Sequence, residues 1–258
     1  MDIIREYWDS VGTEVTELQA SSARIEPLDI RSTDFSDVFE VRIPSTGGHD
    51  LFAYYSVPRK KSPVPAILMI PGYSSVVHVP PHGRRRDFAV LAPCVRGQRL
   101  SDDLYAAEFP GLLTDRVNDS ALYPFKGMVA DCVRAFDFLV GREEVDSSRI
   151  ALASGPNAGD LALLTAALRP EVIATQVAAP MLFRDARRRI ASTSSYPLEE
   201  FNDYLRANPD HREALERTIA FFDPIVLVDG VECRVRIGRN RAERDAMSEL
   251  ARALGNRA

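Results

Sequence analysis

Ile3, Ile4, Tyr7, Trp8, Val11, Val15 and Leu18 recur at helical spacing and predict an amphipathic helix over residues 3–20. The period then changes. Val38, Val41 and Ile43, followed by an apolar-rich run over 51–57, read as two strands joined at Gly47-Gly48 into an antiparallel hairpin. Residues 66–70 are uniformly apolar and end in Pro71-Gly72-Tyr73, as a strand buried on both faces would. A second such run, 88–94, ends in Arg96-Gly97-Gln98. Beyond an irregular polar stretch, the pattern predicts a helix over 123–140, a strand at 150–153, a helix reaching Leu168 and a strand at 172–177. Helical segments at 197–207 and 211–222 sit where a lid would sit; a strand at 231–237 and a helix at 242–254 follow. Strands alternating with helices imply a mostly parallel sheet with helices on both faces. The expectation is one α/β domain over residues 1–258, with an N-terminal helical extension and a small helical lid at 184–222.

One junction carries the chemistry. The apolar run 150–153 stops at Ser154-Gly155-Pro156-Asn157, and an Ala/Leu-rich helix follows. That is the strand–sharp turn–helix layout in which G-x-S-x-G holds a reactive serine above a sheet. Here the central position is Pro156, flanked by Ser154 and Ala158. Proline has neither a side-chain nucleophile nor an N–H. The shape of the turn is kept and its reactive atom is gone.

Composition narrows the setting. The 258 residues are 45% hydrophobic and 27% charged, ordinary values for a globular chain with a sizeable core. A net charge of −5 gives no reason to expect nucleic acid or an anionic membrane as partner. The first residues, Met1-Asp2-Ile3-Ile4-Arg5-Glu6, lack an apolar signal core, and a cytoplasmic location is expected. Cys94, Cys132 and Cys233 are odd in number and widely spaced, which favours reduced thiols over a disulfide framework or metal site. The basic residues other than Lys60, Lys61 and Lys126 are arginines, a bias that suggests a GC-rich bacterial coding sequence.

The chain resembles the acetyl xylan esterase/cephalosporin C deacetylase family of α/β-hydrolases nearly end to end. The likeness rests on Tyr7-Trp8, Gly72-Tyr73, Arg96-Gly97-Gln98, Phe109-Pro110-Gly111 and Asp131-Cys132-Val133-Arg134-Ala135. It continues through 145–150, Pro180-Met181-Leu182-Phe183-Arg184, Tyr196-Pro197 and Phe221-Phe222-Asp223. The resemblance implies an α/β-hydrolase fold and removal of short acyl groups, chiefly acetate, through a Ser-Asp-His triad. By position the serine falls on Pro156 and the aspartate near Arg241, and the histidine would follow one strand beyond the last one here. A hydrolase sheet shortened at its C-terminal end and lacking the triad is therefore expected. The resemblance also makes Tyr73 the retained oxyanion-hole tyrosine, beside Ser74.

Other candidates follow from position. His78 and His82, in the loop after Tyr73, are the candidate acid–base groups, since imidazole titrates near neutrality. Their spacing is that of a helical metal pair, but Pro80-Pro81 between them forbids the helix, so no metal and no cofactor is expected. Asp160 reads as a helix-start carboxylate, Ser154 as strand packing, and Arg84-Arg85-Arg86 as a charge run. A ligand would touch Tyr73, Ser74, Pro156, Asn157 and Tyr196. The first reading is a repurposed acyl pocket binding an acyl- or ester-bearing small molecule, with or without a non-hydrolytic step such as cyclisation, elimination or isomerisation. The second is a non-catalytic subunit scaffolding an oligomer or partner through the sheet edge at 231–237, because an uncovered edge invites pairing. A homo-oligomer or hetero-complex is expected. A residual esterase is the third reading.

Overall fold

The computed structural model describes residues 2–18, 23–60, 63–107, 111–178, 180–182 and 186–238. Chain order is α1 (Asp2–Thr16), β1 (Arg24–Pro27), β2 (Ser36–Pro44), β3 (Asp50–Pro58), β4 (Val64–Ile70), α2 (His82–Arg85), β5 (Ala89–Pro93) and α3 (Pro124–Val140). Next come β6 (Val145–Ser154), α4 (Gly159–Leu168), β7 (Ala174–Ala178), α5 (Ala186–Ser192), α6 (Glu199–Ala207), α7 (Arg212–Phe221) and β8 (Arg234–Gly238). The strands form one sheet in the order β1-β2-β3-β5-β4-β6-β7-β8. β1, β2 and β3 join antiparallel, and β3 pairs antiparallel with β5. From β5 onward every neighbouring pair is parallel. The expected α/β architecture is therefore present. β1 and α5 are elements that hydrophobic spacing did not announce. The helix expected at 242–254, and Arg241, lie outside the described residues, as do Phe109-Pro110 and Phe183-Arg184.

The two faces of the sheet are covered differently, and this positions everything that follows. Successive side chains along a strand point to opposite faces. Ala66, Leu68 and Ile70 of β4, with Ile150 and Leu152 of β6, join the main core beneath α3 and α4. α4 is packed on all sides, with Leu161, Ala162, Leu163, Leu164 and Ala166 buried, as a helix without a polar face must be. Ile67, Val90, Ala151, Ala153 and Ala174 form a separate small cluster on the opposite face. Parallel crossovers are right-handed, so a connection running the other way along the sheet lands on the other face. Only β4 to β5 runs that way in this strand order. Its helix α2 is four residues long, because Pro80-Pro81 removes the amides that an earlier helical turn would need.

Several of the family-like motifs turn out to hold the architecture together. Trp8 donates its indole N–H to the Phe221 carbonyl at 2.8 Å and packs edge-on against Phe222 at 5.5 Å. Phe222 in turn meets Tyr123 and Phe125. This aromatic cluster pins the end of α7 to α1 and α3. Gln98 reaches back to donate to the Gly72 carbonyl at 2.9 Å, fixing the turn after β4 from the turn after β5. Among the described residues β8 has no neighbour on its outer side, and Arg234, Val235 and Arg236 are exposed there.

Candidate active site

The elbow forms where the sequence placed it. β6 ends at Ser154, Asn157 takes a left-handed φ of 55°, and α4 begins at Gly159. The turn lies close against the loop after β4. The Gly155 amide donates to the Ile70 carbonyl at 2.8 Å, and the Tyr73 amide donates to the Pro156 carbonyl at 3.2 Å. A Cβ on Gly72 would stand 2.8 Å from the Pro156 oxygen, so the approach requires glycine there. Pro156 itself is exposed at the crown of the turn.

Ser154 is buried and its hydroxyl oxygen accepts the Ala178 amide at 2.7 Å, a strand-end role. Asp160 is fully buried and accepts the amides of Met181 at 2.5 Å and Leu182 at 3.1 Å. It therefore stands at the start of α4 and anchors the segment after β7, a long-range partner that its sequence neighbourhood does not reveal.

Tyr73 faces inward. Its hydroxyl donates to the Glu200 carboxylate, lying 2.6 and 2.7 Å from the two oxygens, and the Leu113 amide reaches both side chains at 3.3 Å. Burial, and then the Glu200 carboxylate, push the Tyr73 phenol well above its ordinary range. Only about 10 Å³ of free space remains beside Tyr73, Ser74 and Asn157, walled by Phe125 and Met181. Glu200 belongs to the first turn of α6, so the bond to Tyr73 ties α6 to the loop after β4. Sequence reasoning missed Glu200, because the partner that gives it a role, Tyr73, lies 127 residues away.

Burial raises the Glu200 carboxyl above its ordinary value, while the hydrogen bonds from Tyr73 and the Leu113 amide pull the other way. An acid whose folded value is raised contributes stability below its unfolded value and loses it as pH climbs through the folded one. Glu200→Gln cannot ionise and keeps an oxygen acceptor. Its melting temperature should therefore gain on that of the parent as pH rises above the ordinary glutamate value of 4.5. A melting-temperature difference independent of pH would contradict this assignment.

An open cavity lies on the other side of the Pro71-Gly72 and Pro156 turns. It has about 840 Å³ and runs from Gly72 and Pro156 down the sparsely covered sheet face carrying Met69 and Ala153. Val76 and Phe88 add to its apolar wall, and His78 and Arg84 are the ionisable groups among its described lining residues. Pro156 and His78 thus meet at one cavity. His82 opens α2, where its ring stands edge-on to Phe35 at 6.0 Å. Tyr196 is 64% exposed and hydrogen-bonds to Asp203 of the lid. The structure therefore separates Tyr73, Ser74 and Asn157 from the cavity that Pro156 and His78 share.

Among the described residues none of the four histidines is hydrogen-bonded to a carboxylate or a serine; His211 pairs with the Tyr204 hydroxyl at 2.7 Å. No cluster of His, Cys, Asp and Glu among those residues could hold a metal ion, and no helix there is long and apolar enough to cross a membrane.

The fold has close relatives of known structure. An acetyl xylan esterase from Paenibacillus sp. R4 superposes with a TM-score of 0.82 at 24% identity, covering 96% of this chain and 93% of that one. Acetyl xylan esterase 1 from Thermoanaerobacterium sp. JW/SL YS485 gives 0.83 at 18% identity, covering 99% and 94%. In sequence, the acetyl esterase Axe7A of Xylanibacter ruminicola is 25% identical over 228 residues, which cover 84% of this chain and 51% of that protein. The chain thus spans about half the length of that curated relative. The acetyl xylan esterase (AXE1) family model matches residues 2–240, taking in the leading helix, the elbow and the lid, and the chain belongs to that family of α/β-hydrolases.

Proposed function

We propose that this chain is a ligand-binding member of the acetyl xylan esterase family that does not form an acyl-enzyme at its elbow. The observation that carries the reading is Pro156 at the crown of the turn, on the rim of an open, mainly apolar cavity of about 840 Å³. Nucleophilic acyl transfer needs an alcohol or thiol with a base in reach. Pro156 supplies neither, and the nearby Ser154 hydroxyl is held by a strand amide. Loss of the nucleophile alone costs a serine hydrolase about 10⁶-fold in kcat. The cavity size suits a small organic molecule, since such sites measure roughly 300–1,000 Å³. An acyl- or ester-bearing molecule would lay its apolar part along Met69, Val76 and Phe88. Any reaction promoted there would rest on positioning, not on covalent catalysis.

The expected result is no turnover of short acyl esters and no labelling by a fluorophosphonate probe, with Pro156→Ser alone restoring neither. Labelling at any serine together with acetyl-ester turnover would sink the reading. Mass spectrometry of the purified protein should in turn find a bound small molecule that Pro156→Trp, which fills the rim, releases.

A further inference from the structure

The cavity carries a charge that no described acidic side chain pairs with. In the run Arg84-Arg85-Arg86, two of the three guanidiniums are committed to the fold. Arg85 is buried and donates to the Arg31 carbonyl at 2.9 Å, and Arg86 lies over the Phe35 ring at 4.0 Å. Arg84, half-buried, lines the cavity and makes no ion pair or hydrogen bond with any described side chain. The nearest acid in sequence, Asp87, is taken by Lys60 at 2.8 Å. Burial holds the Arg84 guanidinium below its ordinary range. The cavity wall carries a second polar group. Gln176, on β7, is only 5% exposed, its side chain has no hydrogen-bond partner among the described residues, and it lines the same cavity. Ligand sites combine mainly apolar walls with a few polar groups that fix the orientation of what binds.

Building on the binding reading above, we propose that the cavity takes an amphipathic carboxylate, with its carboxylate at Arg84, a neutral polar group toward Gln176, and its apolar body along Met69, Val76 and Phe88. A monoanion is favoured over a phosphate ester. One guanidinium balances one negative charge, and a dianion would leave the surplus charge against mainly apolar walls.

The test is isothermal titration of the full chain with decanoate, 1-decanol and decyl phosphate, each below its aggregation limit. Decanoate should bind more tightly than decanol. Arg84→Gln should weaken decanoate by about tenfold or more, the worth of a hydrogen bond to a charged group, and leave decanol unchanged. Arg84→Lys should fall between, because it keeps the charge and loses the planar fork. Arg86→Gln should match the parent. Unchanged melting curves exclude misfolding as the cause, and Arg84→Lys serves if Arg84→Gln does not fold. If decanol and decanoate bind equally, or Arg84→Gln has no effect on decanoate, the carboxylate assignment fails while the binding reading stands. Tighter binding of decyl phosphate overturns the monoanion in favour of a phosphate ester. If none of the three binds, both readings fall.

Discussion

Asp131→Ala should lose about 3–5 kcal/mol of stability, a large part of the roughly 5–15 kcal/mol that holds a domain folded. Asp131 is fully buried on α3, and its two oxygens collect four donors. They accept the Arg96 amide at 2.8 Å, Arg96 Nε at 3.0 Å, Arg96 Nη2 at 2.7 Å and the Ser45 hydroxyl at 2.6 Å. Arg96 also donates to the Thr46 hydroxyl at 2.9 Å. One carboxylate therefore ties the end of β5 and the β2–β3 turn to α3. Gly127 makes room for it: a Cβ there would lie 2.3 Å from the guanidinium. Removing the carboxylate strands a guanidinium whose side chain is 11% exposed. The remaining cation, more than the lost attraction, sets the cost. Replacing both partners by apolar residues, Arg96→Met with Asp131→Leu, should therefore be less damaging than Asp131→Ala alone. Arg217→Ala, which breaks the exposed pair with Glu213, should change stability by at most about 0.5 kcal/mol. Denaturant titration of the four proteins decides the matter. An Asp131→Ala midpoint close to that of Arg217→Ala would refute the account.

Gly155→Ala should be the most damaging single-methyl addition at the elbow, costing about 1–3 kcal/mol or more by forced overpacking. Its Cβ would sit 2.6 Å from the Gly72 nitrogen and 3.0 Å from the Gly72 Cα. Both are backbone atoms, so no rotamer change relieves the contact. The turn carrying Gly72 and Tyr73 must move away from β6, which would loosen the Tyr73–Glu200 bond and reshape the cavity rim. Gly12→Ala in α1 is the matched control, because nothing lies within 4 Å of its Cβ position. Alanine in an open helix interior should stabilise by about 0.5–1 kcal/mol. Equal denaturation midpoints for the two variants would mean that the close crossing of the turns is not a constraint.

Much of this molecule was readable from local pattern. The switch from helical to alternating spacing located α1 and the β2–β3 hairpin, and uniform apolar runs located β4, β5, β6 and β7. These signals survive without tertiary context because side-chain periodicity is a property of the element itself. Pro156 at the elbow was equally plain, since the residue at the crown of a turn is read from one position of the sequence. The order of motifs along the chain also identified the family, which the match over residues 2–240 shows.

What only the folded chain decided is which distant groups meet. Tyr73 donates to Glu200, 127 residues away. Arg96 and Asp131 looked like separate motifs and form one buried pair. In Arg84-Arg85-Arg86, a charge run by sequence, each guanidinium has a different environment, and only Arg84 looks into the cavity. That cavity lies on the sheet face that, among the described residues, carries a single crossover with the four-residue α2. Hydrophobic spacing says which residues leave water. Which ones they leave it with depends on contacts closed across a hundred residues or more, and those are set by packing and sheet topology.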